Sequence, residues 1–160
     1  MKVKEIMTAN PKTCDLNASL ADAAKAMWES DCGILPVLKD GKEIVGVLTD
    51  RDICMGSAMR DRNPSGVSVE EVMNGELFSV LPEDDVQQAL ETMQQRKIRR
   101  LPVVDSEGEL KGVLSMNDVV LSAAERGSKK ASGISHADIV STFQAICEHP
   151  LPMSTAANAP

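Results

Sequence analysis

Two short stretches of the chain carry residues that can do chemistry, at the same spacing. Thr49-Asp50-Arg51-Asp52 and Ser115-Met116-Asn117-Asp118 each set a hydroxyl three residues before an acid. Each follows an apolar run that contains Gly-Val-Leu. Ser/Thr-x-x-Asp is first of all a helix start: the hydroxyl accepts from a free backbone N–H, and the acid suits the positive end of the helix dipole. The same geometry also fits a ligand. A helix N-terminus draws anions, and a carboxylate beside it can accept two hydrogen bonds from a vicinal diol. Hydroxyl, helix end and acid together suit a ribose-phosphate group.

A third stretch is Arg96-Lys97-Ile98-Arg99-Arg100, just before Leu101-Pro102. Arg96 and Lys97 suit the negative end of a helix. Arg99 and Arg100 fall at a strand entry, where that reason fades, and form a candidate phosphate clamp. The matching positions in the first half are Gly33 and Ile34, so the two halves are expected to offer unequal sites. Arg51 is placed to serve either site or to face solvent. No catalytic residue is expected. His136 and His149 lie outside the repeated region, no cysteine sits in a nucleophile–base pattern, and there is no Walker-type glycine loop. The four cysteines, Cys14, Cys32, Cys54 and Cys147, contain no Cys-x-x-Cys; free thiols in a reducing cytoplasm are expected, and no metal site.

The elements that must position these residues occur twice. Displaced by 66 positions, the chain falls on itself without a gap. Val3-Lys4-Glu5-Ile6-Met7 meets Val69-Glu70-Glu71-Val72-Met73, Leu35-Pro36-Val37 meets Leu101-Pro102-Val103, and Asp52 meets Asp118. Each copy predicts a short helix (2–7, 68–73), then a short extended segment (12–14, 77–80). An amphipathic helix follows, with Leu20, Ala23, Ala24 and Met27, or Val86, Ala89, Leu90 and Met93, at i, i+3, i+4 and i+7. Ser19 and Pro82-Glu83-Asp84-Asp85 supply the start signals. Two strands come next, Ile34–Leu38 with Ile44–Thr49, and Leu101–Val104 with Leu110–Ser115, each pair joined by turn residues. The last helices begin near Asp50 and Met116. The order is β-α-β-β-α, twice: an α/β (α+β) fold of two repeats, 1–60 and 61–126, packed about a pseudo-twofold axis. A loop over 60–67 connects them.

Residues 127–160 differ. Gly127 to Gly133 reads as a flexible linker. Ser135 opens a helix with Asp138 at its third position, and Ile134 and Ile139 are spaced for a hydrophobic staple. Ile139, Val140, Phe143, Ile146 and Cys147 are expected on one face, either docked on the module or pairing subunits. From Pro150 the chain reads as disordered.

The 160 residues carry 24 acids against 17 Lys and Arg, and only three aromatics, Trp28, Phe78 and Phe143. That balance counts against nucleic-acid polymers and anionic membranes as partners. No stretch reaches the apolar length of a membrane span, and the first residues do not read as a secretory signal, so a cytoplasmic location is expected. The acidity is uneven: residues 61–126 hold 13 acids and 7 bases, residues 1–60 hold 9 and 8. With so few rings, a base bound in this protein is expected to rest on Val, Ile, Leu and Pro.

The tandem β-α-β-β-α unit, with its Leu-Pro-Val strand and Gly-Val-Leu-Thr/Ser-x-x-Asp ending, resembles a pair of CBS domains over residues 2 to about 124. The resemblance implies a regulatory module, two copies forming a disc and two discs commonly associating as a homodimer. It implies an adenosine ligand in the clefts between copies: AMP, ADP or ATP, with S-adenosylmethionine or NAD ranked behind. By the family's pattern Asp52 and Asp118 hold the ribose diol, and Thr49 and Ser115 lie near ribose and phosphate. Thr13, Cys14, Ser79 and Val80 meet the base, Ile34, Pro36, Pro102 and Leu101 line it, and Arg99, Arg100 and Arg51 face the phosphate. A protein partner of unknown identity would read the ligand state. The alternative is a ligand-free dimerisation module that uses the C-terminal helix.

Overall fold

The computed structural model describes residues 1–125 and 134–148. Two very short strands open the chain, β1 (Thr8–Ala9) and β2 (Cys14–Asp15). Helix α1 (Leu20–Glu29) starts at Ser19, whose hydroxyl accepts from the Asp22 N–H, and buries Leu20, Ala23 and Met27. Strands β3 (Ile34–Lys39) and β4 (Glu43–Thr49) form an antiparallel hairpin. Its turn holds Asp40 and Gly41 at φ 53° and 69°, the positive values that a tight two-residue hairpin turn requires. Helix α2 (Asp50–Arg60) follows directly on β4. In copy two, α3 (Val86–Arg96) is capped by Asp85, with Gln88 completing a capping box. Strands β5 (Arg100–Val104) and β6 (Leu110–Ser115) and helix α4 (Met116–Glu125) repeat the plan. The four predicted hairpin strands and the main helices are present, with ends shifted by a residue or so; the extended segment predicted at 12–14 is β2, whereas the one predicted at 77–80 forms no strand and makes only a single bridge, Val80 with Val103.

The departure lies in the leading segments. The predicted short helix over 2–7 is a single 3-10 turn at Val3–Glu5. The segment 68–73 makes turns alone, such as the Met73 N–H donating to the Val69 carbonyl at 2.8 Å. Six residues are too few to repay helix nucleation, and tertiary contacts decide their path instead. Each leading segment crosses to the other copy. Strand β1 pairs antiparallel with β6 (Thr8 opposite Val113), giving a sheet in the order β1-β6-β5. Reciprocally, the Asn74 carbonyl accepts from the Val47 N–H at 3.1 Å and the Asn74 N–H donates back at 3.0 Å, on the sheet β2-β3-β4. The two cores are therefore composite. Val3, Ile6 and Met7 pack with Leu90, Met93, Leu101 and Leu114; Val69, Val72 and Met73 pack with Leu20, Leu35 and Leu48.

This exchange gives the Gly of Gly-Val-Leu its physical reason. A Cβ on Gly46 would lie 2.4 Å from the Asn74 carbonyl oxygen; on Gly112 it would lie 2.8 Å from the Thr8 oxygen and 2.7 Å from the Met7 sulfur. Only a bare α-carbon lets the opposite segment cross the sheet so closely.

Helix α5 (His136–Cys147) starts at Ser135 with Asp138 closing a capping box, as the sequence predicts. It lies on its own module, against α3. Ile139, Phe143 and Ile146 join the second core, and so does Ile134. Val140 and Cys147 do not share that face; Val140 is 56% exposed and Cys147 is exposed, because three residues of the predicted stripe fill the groove and the other two point out. Thr142, fully buried, accepts from the Gln94 side-chain amide at 2.8 Å. The Gly127–Gly133 linker, His149 and the segment from Pro150 lie outside the described residues.

Candidate functional site

Each helix start after a Gly-Val-Leu strand closes as a capping box. The Thr49 hydroxyl accepts from the Asp52 N–H at 3.2 Å and donates to Asp52 Oδ2 at 2.7 Å, and the Thr49 N–H donates to the same oxygen at 2.9 Å. Ser115 and Asp118 repeat this, with 3.3, 2.5 and 2.8 Å. The cap therefore consumes one carboxylate oxygen, Oδ2, and fixes the side chain's direction. The other oxygen, Oδ1, is left toward the cleft. In Asp118 it accepts from the Thr8 hydroxyl at 3.4 Å; in Asp52 it has no protein partner among the described residues. Capping and ligand recognition are thus compatible uses of one acid.

Two clefts flank the contact between copies. The first, about 390 Å³, is lined by Thr49, Arg51 and Asp52 from copy one and by Arg99, Arg100 and Pro102 from copy two, with Ile34 at the border. The second, about 710 Å³, joins Ser115, Asn117 and Asp118 to Thr13, Gly33 and Ile34, with Arg100 at the border. Displacement by 66 residues carries most of one lining onto the other. Each cleft combines the acid of one copy with the strand entry of the other. The arginine pair of copy two consequently faces Thr49 and Asp52, which compensates for the uncharged Gly33 and Ile34 of copy one.

The clefts differ in charge. Five basic and three acidic side chains line the first; two of each line the second. Five residues singled out in the sequence line neither. Val80 and Pro36 are buried in strand contacts, Leu101 is buried in the second core, Ser79 is exposed, and Cys14 packs against the first core. Burial, with help from the neighbouring Asp15 charge, raises the Cys14 thiol to about 11, so at neutral pH it is a protonated packing group. Conversely, Phe78, Asn74 and Glu76 line the first cleft and Thr8, Asn10 and Lys12 the second. Phe78 corrects the expectation of ring-free walls. Its ring carries the Arg96 guanidinium 4.3 Å from its centre, a cation–π contact that holds both in place. The residue immediately precedes Ser79, so its sequence position was the available signal.

Comparison with known proteins agrees with this architecture. The CBS domain family model matches residues 3–57 and 69–125. The chain belongs to the CBS domain family. The CBS domain-containing protein YhcV of Bacillus subtilis is 34% identical over 139 residues, covering 86% of this chain and 97% of YhcV. The structure of CBSX2 from Arabidopsis thaliana in complex with AMP is 27% identical, covers 79% of this chain and 98% of that chain, and has a TM-score of 0.68. The CBS domain pair of protein MJ0100 in complex with 5′-methylthioadenosine and S-adenosyl-L-methionine is 26% identical, covers 81% and 98%, and has a TM-score of 0.70. No described helix is long and apolar enough to cross a membrane.

Proposed function

We propose that this CBS pair is a cytoplasmic regulatory protein that binds an adenosine nucleotide of the AMP, ADP or ATP class in the first cleft. One observation carries the reading: an acid with a free oxygen, Asp52, faces Arg99 and Arg100 across a single cavity. Asp52 Oδ1 accepts from the ribose diol, and the two guanidiniums face the phosphate. Pro102, Ile34 and Phe78 supply apolar surface for the base. S-adenosylmethionine, with a cationic sulfonium in place of phosphate, gains less from the arginines and ranks behind the nucleotides; NAD is placed behind them as well. The role is binding rather than catalysis.

Regulation follows from the composite walls. A ligand in either cleft touches both copies, so it favours one packing of the pair to the extent that it binds that packing better. A protein partner then reads the difference. Homodimerisation belongs to the same reading. Helices α1 and α2 leave Trp28 88% exposed beside a groove of about 440 Å³ that Ala24, Met27 and Ile53 also line. The apolar face of α5 is already used on α3, which disfavours the alternative in which that helix recruits the partner.

Thermal denaturation with AMP, ADP, ATP, S-adenosylmethionine and NADH tests the reading. A nucleotide at 100 times its Kd should add about 2.7 kcal/mol of stability, a Tm rise of about 5–10 °C. Asp52→Asn and Arg99→Gln should each remove most of that rise. A panel without any shift would favour a ligand-free interaction module instead.

A further inference from the structure

Positions 34 and 100 occupy equivalent places in the two copies, and both border both clefts. One is isoleucine and the other arginine. Every other charged side chain of the two linings belongs to one cleft alone. Arg100 lies opposite Ser115 in the β5–β6 pair, which roots it beside the second cleft. Its guanidinium reaches over copy one: a Cβ built on Gly33 would lie 3.4 Å from an Arg100 terminal nitrogen and 3.1 Å from Asp50 Oδ2. Gly33, the counterpart of Arg99, thereby leaves room for the guanidinium between the clefts. Arg100 is half-buried, and its guanidinium has no hydrogen bond or ion pair with the described residues.

We propose that the two clefts compete for Arg100, so that a phosphorylated ligand in one weakens phosphate binding in the other. This rests on the nucleotide reading above. A guanidinium that forks onto one phosphate commits two of its five donors and is drawn toward that phosphate, which carries the remaining donors away from the other cleft. The first cleft retains Arg51, Arg96, Lys97 and Arg99 when Arg100 turns away; the second retains only Lys12. The first cleft therefore fills first with a nucleotide. The second then suits an adenosine compound without a phosphate. Linkage makes the antagonism reciprocal: each ligand lowers the other's affinity by the same factor.

The test is calorimetric titration with AMP on the full chain. With the first cleft disabled by Asp52→Asn, which keeps a capping acceptor, the second cleft should bind AMP about five- to tenfold more tightly than it does in the wild type with the first cleft filled. In Arg100→Met the same Asp52→Asn change should bring no gain. Direct repulsion between two phosphates would survive Arg100→Met, so a gain that persists there overturns the proposal. Ile34→Arg supplies a second guanidinium and should let the two clefts fill independently of each other, the first still the tighter; sites that remain antagonistic in that variant also overturn the proposal. Wild type whose clefts fill independently overturns this inference while the nucleotide reading stands. Absence of AMP binding in every variant overturns both.

Discussion

Copy one shows solvent the face of α1 that carries Trp28, whereas the matching residue of copy two, Gln94, donates to Thr142 of α5. Copy one enters β3 through Gly33 and Ile34, whereas copy two enters β5 through Arg99 and Arg100. Lys12 of one copy stands where Phe78 stands in the other. The backbone plan is common, yet these few exchanges make one helical face open and the other covered, and one cleft basic and the other neutral. The frame is held by residues that match across copies, Gly46 with Gly112 and the Thr49 and Ser115 caps. Differentiation is left to positions on the rims, where a change of side chain costs the fold little.

The comparison breaks first at the crossing points. Gly46→Ala sets a methyl against a backbone oxygen at 2.4 Å and should cost about 3 kcal/mol in urea unfolding. Gly112→Ala meets a flexible Met7 sulfur as well as a backbone oxygen and should cost less, about 1–2 kcal/mol. Equal losses would show that the two crossings are equally rigid. Next come the helical faces. Phe143→Ala removes half-buried packing between α5 and copy two and should lower stability by about 2 kcal/mol. Trp28→Gln should stay within about 0.5 kcal/mol, while size-exclusion chromatography with light scattering should show the proposed dimer weakened. The clefts come third. Asp52→Asn should weaken AMP about a hundredfold, near 2.7 kcal/mol, and Asp118→Asn should weaken it less, measured by calorimetry. The smallest effect is acid sensitivity at the start of α5. The Ser135 hydroxyl and N–H hold the Asp138 carboxyl below its ordinary value. The folded state thus favours the ionised form: its contribution is present above the unfolded value of about 3.9 and fades as pH falls through the lower, folded one. Asp138→Asn should slightly flatten the acid limb of a stability–pH curve, and the exposure of the pair keeps the change small.

Local rules made much of this legible. Ser19, Thr49 and Ser135 announce their helices because a cap is a contact within four residues. The Asp40-Gly41 turn and the strand pairs follow from equally short-range chemistry. The two-copy plan was legible as well, since a repeat needs only comparison of the chain with itself. What escaped is pairing at long range. Nothing near Thr8 signals Val113, and Val69 does not advertise that its neighbours are Leu20 and Leu35. That same crossing recombines the sites: Arg99 and Arg100 of copy two stand opposite Asp52, where copy one itself offers only the uncharged Gly33 and Ile34. Phe78 escaped for a different reason: a single ring in an exposed-looking segment carries no periodic signal.

The composite cores also set an order of events during synthesis. Residues 14–73 contain every member of the first core, so it can close while the ribosome is still building copy two. The second core draws on Val3, Ile6 and Met7 at one end and on Ile139, Phe143 and Ile146 at the other. The apolar start of the chain must therefore wait, exposed, until nearly the whole chain has emerged. Chains that fold domain by domain are most prone to aggregation in such intervals. The vulnerable interval belongs to the segment around Val3, Ile6 and Met7, and a chaperone that holds that segment would protect it best.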